Sequence, residues 1–147
     1  MSEARVESIH VYPVEGGPGQ RAPEIEIRTD HGIVGDHRSK PDSKRQLTLI
    51  DSAVLDDVAR IVGKDIPDGA SRRQVRVSGL DLNTTIGKTL TLGDVTIKVE
   101  TDCPPCNIME TAIGPGARQA LQGRAGVCCR VVDGGILREG DPLHVAQ

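Results

Sequence analysis

Short runs that alternate apolar and polar residues, set between turn signals, make up most of this chain, and a period of two is the spacing of a half-buried β-strand. Residues 5–14, 24–29, 46–50, 74–78, 89–92, 95–100, 126–132 and 143–145 are predicted as strands on this pattern. Seventeen glycines and nine prolines fall mainly between them. One segment breaks the pattern. Over 52–62, Val54, Leu55, Val58, Ile61 and Val62 fall on one helical stripe, Asp51 or Ser52 can cap its start, and Gly63 supplies a left-handed stop. Its expected position is over, or plugging, the sheet. A shorter helix is expected at about 115–122, ending at Gly123. Leu90–Val95 and Leu137–Pro142 share Leu-x-x-Gly-Asp and read as two similar tight hairpins. Many short strands with one good helix imply a mostly β, β-rich α+β fold, a curled sheet or closed β-barrel with one or two short helices.

Composition removes several function classes. Tyr12 is the only aromatic residue, so the stacking platform of single-strand nucleic-acid binders is missing and the core must be aliphatic. A net charge of −3 gives no global attraction to phosphodiester backbones, and nucleic acid is not an expected partner. No stretch approaches the ~20 apolar residues of a membrane-spanning helix, and residues 1–6 carry neither a secretory nor a transit pattern. The expectation is a cytoplasmic protein with no membrane partner. There, four cysteines are expected as thiols, ligands or redox groups rather than as a disulfide framework.

Cys103-Pro-Pro-Cys106 is the sharpest local signal. Two sulfurs at this spacing can form a disulfide, share a metal, or let one thiol receive a group that the other resolves. Ile108, Met109, Ala112 and Ile113 are spaced for about two helical turns before Gly114, which puts Cys106 at a helix start, where backbone N–H groups favour a thiolate. A bland turn with inert thiols is the competing reading. Cys129 shares a strand face with Val127 and Val131 and reads as a small core residue, and Cys128 as a packed neighbour on the other face. Adjacent strand residues point apart, which disfavours a zinc site built from Cys103, Cys106 and this pair. Ile86-Gly87-Lys88-Thr89 is not a phosphate-binding loop, since Leu82 stands where the first glycine is needed. The four histidines show no ligand spacing.

Residues 72–79 read Arg-Arg-Gln-Val-Arg-Val-Ser-Gly. As a strand this segment sets Arg72, Gln74 and Arg76 on one face, a row able to grip a phosphate and hydrogen-bond a heterocycle. A solvated strand face is the alternative.

Six blocks together resemble the MOSC domain, named for the C-terminal domain of molybdenum cofactor sulfurases: Gly32–Asp36, Arg45–Asp51, Arg72–Leu82, Ile86–Asp94, Cys103–Cys106, and Gly123–Gly126 leading to Gly134–Pro142. The resemblance covers nearly the whole chain and implies one MOSC-like domain over 1–147 that binds a pterin-based molybdenum cofactor. The family's metal-ligating or sulfur-carrying cysteine maps onto Cys106. Its Arg-x-Asn pterin contact maps onto Arg72 and Gln74, with Gln74 one methylene longer than the family's Asn, and Arg73 lies between them. Cys106 is therefore the candidate catalytic residue and metal ligand, and Arg72, Arg73, Gln74 and Cys106 are the candidate cofactor contacts. The implied role is sulfur transfer to the cofactor, with a cysteine desulfurase or another sulfur donor as partner and a molybdoenzyme as acceptor. Alternatives are a molybdenum-dependent reductase component for N-hydroxylated compounds, fed by an electron-donor protein, a thiol–disulfide oxidoreductase centred on Cys103 and Cys106, and an interaction module without cofactor.

Overall fold

The computed structural model describes residues 3–146; Met1, Ser2 and Gln147 lie outside the described residues. Strands form where the alternation predicts them: β1 (Arg5–Val11), β3 (Glu24–Arg28), β5 (Leu47–Asp51), β6 (Val75–Ser78), β7 (Thr89–Leu92), β8 (Val95–Asp102), β9 (Val127–Asp133) and β11 (Leu143–Val145). Two-residue strands β2 (Gln20–Arg21) and β4 (Gly32–Ile33), and β10 (Gly135–Arg138), are additional. The main sheet runs β11-β7-β8-β9-β5-β6-β1-β2, and β10-β3-β4 form a second, small sheet. The large sheet curls until its ends meet. Leu143 donates its backbone N–H to Ala4 and Val6 donates to Asp141, so the chain beside β11 pairs with the free edge of β1. Inside the curl, Val6, Leu49, Val75, Leu90, Ile97, Val99 and Cys129 pack with Ile27, Ile33 and Leu137 of the small sheet. The fold is thus mostly β, as the pattern implies.

Helix α1 (Ser52–Val62) forms over the predicted residues, with the Asp51 side chain accepting from the Ala53 N–H at its start and left-handed Gly63 at its end. It links β5 to β6, the parallel pair of the large sheet, and covers that sheet's outer face. Leu55 and Val58 join Ile50, Met109, Ile113, Ala117 and Leu121 in a second apolar cluster there. Helix α2 (Asn107–Ile113) follows the Cys-Pro-Pro-Cys segment, and α3 (Ala117–Ala120) is a single turn. The longer helix expected at 115–122 is cut short because left-handed Gly116 occupies its start.

Two expectations are corrected. Leu92 and Val95 close a tight β7–β8 hairpin, but the second Leu-x-x-Gly-Asp segment is not a hairpin. It carries the chain from β10, paired with β3, to β11, paired with β7. The two like turns meet instead, Gly93 donating to the Pro142 carbonyl. Nor are all four cysteines thiols: Cys103 and Cys128 form a disulfide, and Cys106 and Cys129 are free. Cys103 lies just past β8, whose Thr101 pairs with Cys128 in β9, and this long-range register brings the two Cα atoms within 5.7 Å.

Candidate functional site

Three loops and the start of α2 surround a cavity of about 420 Å³. Glu15 and Gly16 come from the turn after β1, His37, Arg38, Lys40, Ser43 and Arg45 from the β4–β5 connection, Arg72 and Arg73 from the approach to β6, and Cys106 and Ile108 from α2 and its cap. Glu15 is the one acidic residue among five Arg and Lys side chains. Among the described residues, neither Arg72, Arg73, Lys40 nor Arg45 has a carboxylate in ion-pair range, and Arg38 stands 3.9 Å from Asp36. Cations left this uncompensated hold a strong positive field in a recess, and an anion entering it gains charge-assisted hydrogen bonds.

The arginines are held in place by neutral groups. Arg73 is 3% exposed and donates from Nε to the Ala125 carbonyl (2.7 Å) and from Nη2 to the Pro104 carbonyl (3.0 Å). Burial above all, with Arg45 nearby, pulls its guanidinium down to about 10, and Cys106 opposes that shift. The Ala125 carbonyl is brought near by Gly126, whose φ is +106° and whose Cβ, were there one, would strike the Leu49 carbonyl. Arg72 adopts a left-handed φ of +64°, unusual for a residue with a side chain. It lies over the Tyr12 ring with its guanidinium carbon 4.4 Å from the centroid, and Nη1 donates to the Gly17 carbonyl at 2.5 Å. Arg38 approaches the same ring at 5.2 Å. Its Nη2 donates to the Arg72 carbonyl, while Nη1 is buried without a protein acceptor. Burial lowers the Arg38 guanidinium as well.

Tyr12 therefore orients two cations of the site. Its hydroxyl donates to the Gly69 carbonyl at 2.7 Å, and its backbone N–H donates to Asp36. His37 Nδ1 lies 2.7 Å from the Tyr12 carbonyl; a carbonyl only accepts, so Nδ1 carries the proton there.

Cys106 caps α2, and its thiol makes no capping bond to the helix. Half-buried and free, it is the one cysteine that lines the cavity. With Cys103 tied to Cys128, Cys106 has no dithiol partner, which leaves the oxidoreductase alternative without its resolving thiol.

Gln74 is placed differently from the expected strand face. β6 begins at Val75, and left-handed Arg72 breaks the alternation before it. Arg72 and Arg73 both reach the cavity, whereas Gln74 is fully buried and is not among the lining residues. Its Oε1 accepts from the Thr48 N–H at 2.8 Å, and Nε2 has no protein partner. Arg76 turns toward α1, donating to Ser52. Sequence reading does not single out Arg38, Lys40 or Arg45 as site residues, although four cations within 38–45 are the signal that could have found them. Gln46 anchors that loop by donating to the Lys40 carbonyl while accepting from Val131.

The MOSC domain model matches residues 13–144 of the chain. The chain belongs to the MOSC domain family. Crystal structures of MOSC-like architecture include the YuaD protein of Bacillus subtilis, 17% identical, with a TM-score of 0.81 over 99% of this chain and 98% of that one. YiiM of Geobacillus stearothermophilus is 16% identical with a TM-score of 0.79, over 98% and 75%. YiiM of Escherichia coli is 18% identical with a TM-score of 0.69, over 97% and 70%. These likenesses are of fold. No curated protein matches the sequence.

MOSC domains are linked to binding of the molybdenum cofactor, and the residues present suit such a group. An anionic pterin phosphate calls for cations, and Arg38, whose buried Nη1 has no hydrogen-bond acceptor in the protein, supplies one beside Arg45, Arg72 and Arg73. Molybdenum accepts soft sulfur donors, and Cys106 is a free thiol on the same cavity. Among the described residues no three His, Cys, Asp or Glu side chains cluster as a metal cage.

Proposed function

We propose that this MOSC protein binds a molybdenum–pterin cofactor in the cationic cavity and carries sulfur on Cys106 for delivery to it. The observation that carries this reading is the convergence of one free thiol with five cations and a single acid on one recess. Arg38, Arg45, Arg72 and Arg73 would hold the phosphate and orient the pterin. When bound, the cofactor supplies oxygen- and sulfur-transfer chemistry at molybdenum.

Sulfur loading needs only Cys106 and a donor persulfide. The Cys106 thiolate attacks the donor's terminal sulfur, forming a new Sγ–S bond as the donor's own S–S bond breaks. The electron pair leaves with the donor cysteine as its thiolate, and the proton stays on the transferred sulfur, so no external oxidant or reductant is consumed. Arg72 and Arg73 line the same cavity as Cys106, so guanidinium N–H donors stand around the recess in which the sulfur is carried. A cysteine desulfurase with its cysteine substrate is the natural class of donor, and a molybdoenzyme the acceptor.

The test is purification from a host that makes the cofactor, with molybdenum and the fluorescent oxidised pterin measured together. Desulfurase and cysteine are then added and the sulfur counted by intact mass. Wild type is expected to carry both molybdenum and pterin and to gain one sulfur, which Cys106→Ser does not. Absence of both under conditions that load a known molybdoenzyme, or sulfur arriving on Cys129, overturns the reading. Reduction of a hydroxylamine by the purified protein with a nicotinamide alone would favour the reductase alternative.

A further inference from the structure

A second hollow of about 400 Å³ adjoins the cationic cavity and shares Gly16, Arg72 and Ile108 with it. Its character is opposite. Arg72 is its one charged lining residue, in a chain of which 27% is charged. One wall is the Gly17–Pro18 turn. The other is α2, where Ile108, Thr111 and Ala112 stand at i, i+3 and i+4 and so share one face. The opposite face of α2 buries Met109 and Ile113 in the core. Neither of these two faces carries a charge, since Glu110, the one charged residue of α2, accepts from the Arg118 N–H instead, and the outer face has no core to cover: Ile108 is 49% exposed.

Arg72 stands at the boundary with its guanidinium fixed from two directions, by the Gly17 carbonyl and by the Tyr12 ring. A guanidinium has five N–H donors. One is committed to Gly17 among the described residues, and the side chain lines the hollow. The strained backbone of Arg72 is the kind of feature found where a side chain must be aimed. A hollow of this size, apolar on its walls with one convergent cation, has the form of a small-molecule site.

We infer that this hollow is a binding site for a small organic acid whose apolar body lies between Pro18 and the Ile108–Ala112 face of α2 and whose carboxylate meets Arg72. Its use as the seat of the acceptor or substrate beside the cofactor rests on the function proposed above; binding itself does not. A single anchoring cation with uncharged walls favours a monoanion over a polyanion, and the cation-rich neighbour favours the reverse. The two compartments thus sort a cofactor phosphate from an organic acid, with Arg72 between them.

Benzoate is the probe, with benzyl alcohol and inorganic sulfate as controls, followed by amide resonances of the full chain free of cofactor. Benzoate is expected to shift Gly17, Thr111 and Ala112. Benzyl alcohol should bind the same residues about tenfold more weakly, having lost a charge-assisted bond, and sulfate should shift the 37–45 loop instead. Ala112→Trp fills the hollow and should weaken benzoate at least fivefold. Ala112→Leu, a milder filling on an exposed helix position, should weaken it in the same direction. Molybdenum and pterin content measured on the same variants should match wild type. Benzoate shifts confined to the 37–45 loop, no shifts at all, or unchanged affinity in both folded variants overturns the site. If the wild type takes up no molybdenum while benzoate still maps to α2, the cofactor reading falls and this site stands.

Discussion

At the scale of single residues, Tyr12 shows how a lone aromatic in an aliphatic chain becomes structural and electrostatic at once. Its ring is fully buried beneath Arg72 and Arg38. Burial pushes its phenol up to about 12, against the opposing pull of Arg72 and Arg38. The unfolded phenol ionises near 10. Between those values the unfolded chain has lost the proton that the folded chain keeps, so stability is present below pH 10 and falls as pH rises toward 12, by up to about 3 kcal/mol. Denaturant unfolding measured from pH 9 to 12 should show that decline. Tyr12→Phe should remove this part of the slope and cost about 1 kcal/mol at neutral pH through the lost bond to Gly69. A slope unchanged in Tyr12→Phe would assign the alkaline loss to another group. Cys129, fully buried and with its thiol pushed far up by burial, should be alkylated much more slowly than half-exposed Cys106 under native conditions, as peptide mapping can read.

Among the elements, what the sequence discloses depends on whether the signal is local. Helix α1 is legible because its cap at Asp51, its apolar stripe and its stop at Gly63 lie within one window. Strands β7 and β11 match their alternation residue for residue. By contrast β2 and β4, at two residues each, have no period to detect, and β10 sets Ile136 beside Leu137. The same division runs through the site. Cys106 stands out by local spacing, but Arg38 and Arg45 join it only through the tertiary path of the β4–β5 loop, and the left-handed Arg72 undoes the face assignment of Gln74. Gly126 is the joint where β9, β5 and the Arg73 cradle meet. Ala there would need a positive φ and would overlap the Leu49 carbonyl, next to the carbonyl that holds Arg73. Gly126→Ala should cost roughly 2 kcal/mol in chemical denaturation and weaken anion binding in the cavity, read by phosphate titration. Wild-type stability in that variant would mean that the β5–β9 contact yields without strain.

For the molecule as a whole, the disulfide fastens the segment leading into α2 to the start of β9. The long β8–β9 ladder ends where β8 gives way to the Cys-Pro-Pro-Cys segment and β9 begins. The bridge sits at that end, reinforced by Cys103 donating its N–H to Gly126. Arg73 takes one acceptor from each side of it, Pro104 and Ala125. Everything between the two bridged residues, a separation of 25 that contains α2, α3 and Cys106, is therefore held as a closed loop against the sheet. Chain-entropy reasoning for a loop of this length assigns the closure about 3.5 kcal/mol, which for a domain of this size corresponds to a drop of roughly 7–14 °C in Tm on opening the bridge. Thermal unfolding with and without dithiothreitol should show that difference in wild type and no further reductant effect in Cys103→Ser. Cys106→Ser, whose thiol takes no part in the bridge, should keep the full reductant dependence. Because the cradle of Arg73 straddles the bridge, Cys103→Ser should also weaken cofactor loading without abolishing it, whereas Cys106→Ser removes sulfur uptake outright. Equal loss of sulfur uptake in both variants would show instead that Cys103 takes part in the chemistry and that its bond to Cys128 is exchanged during it.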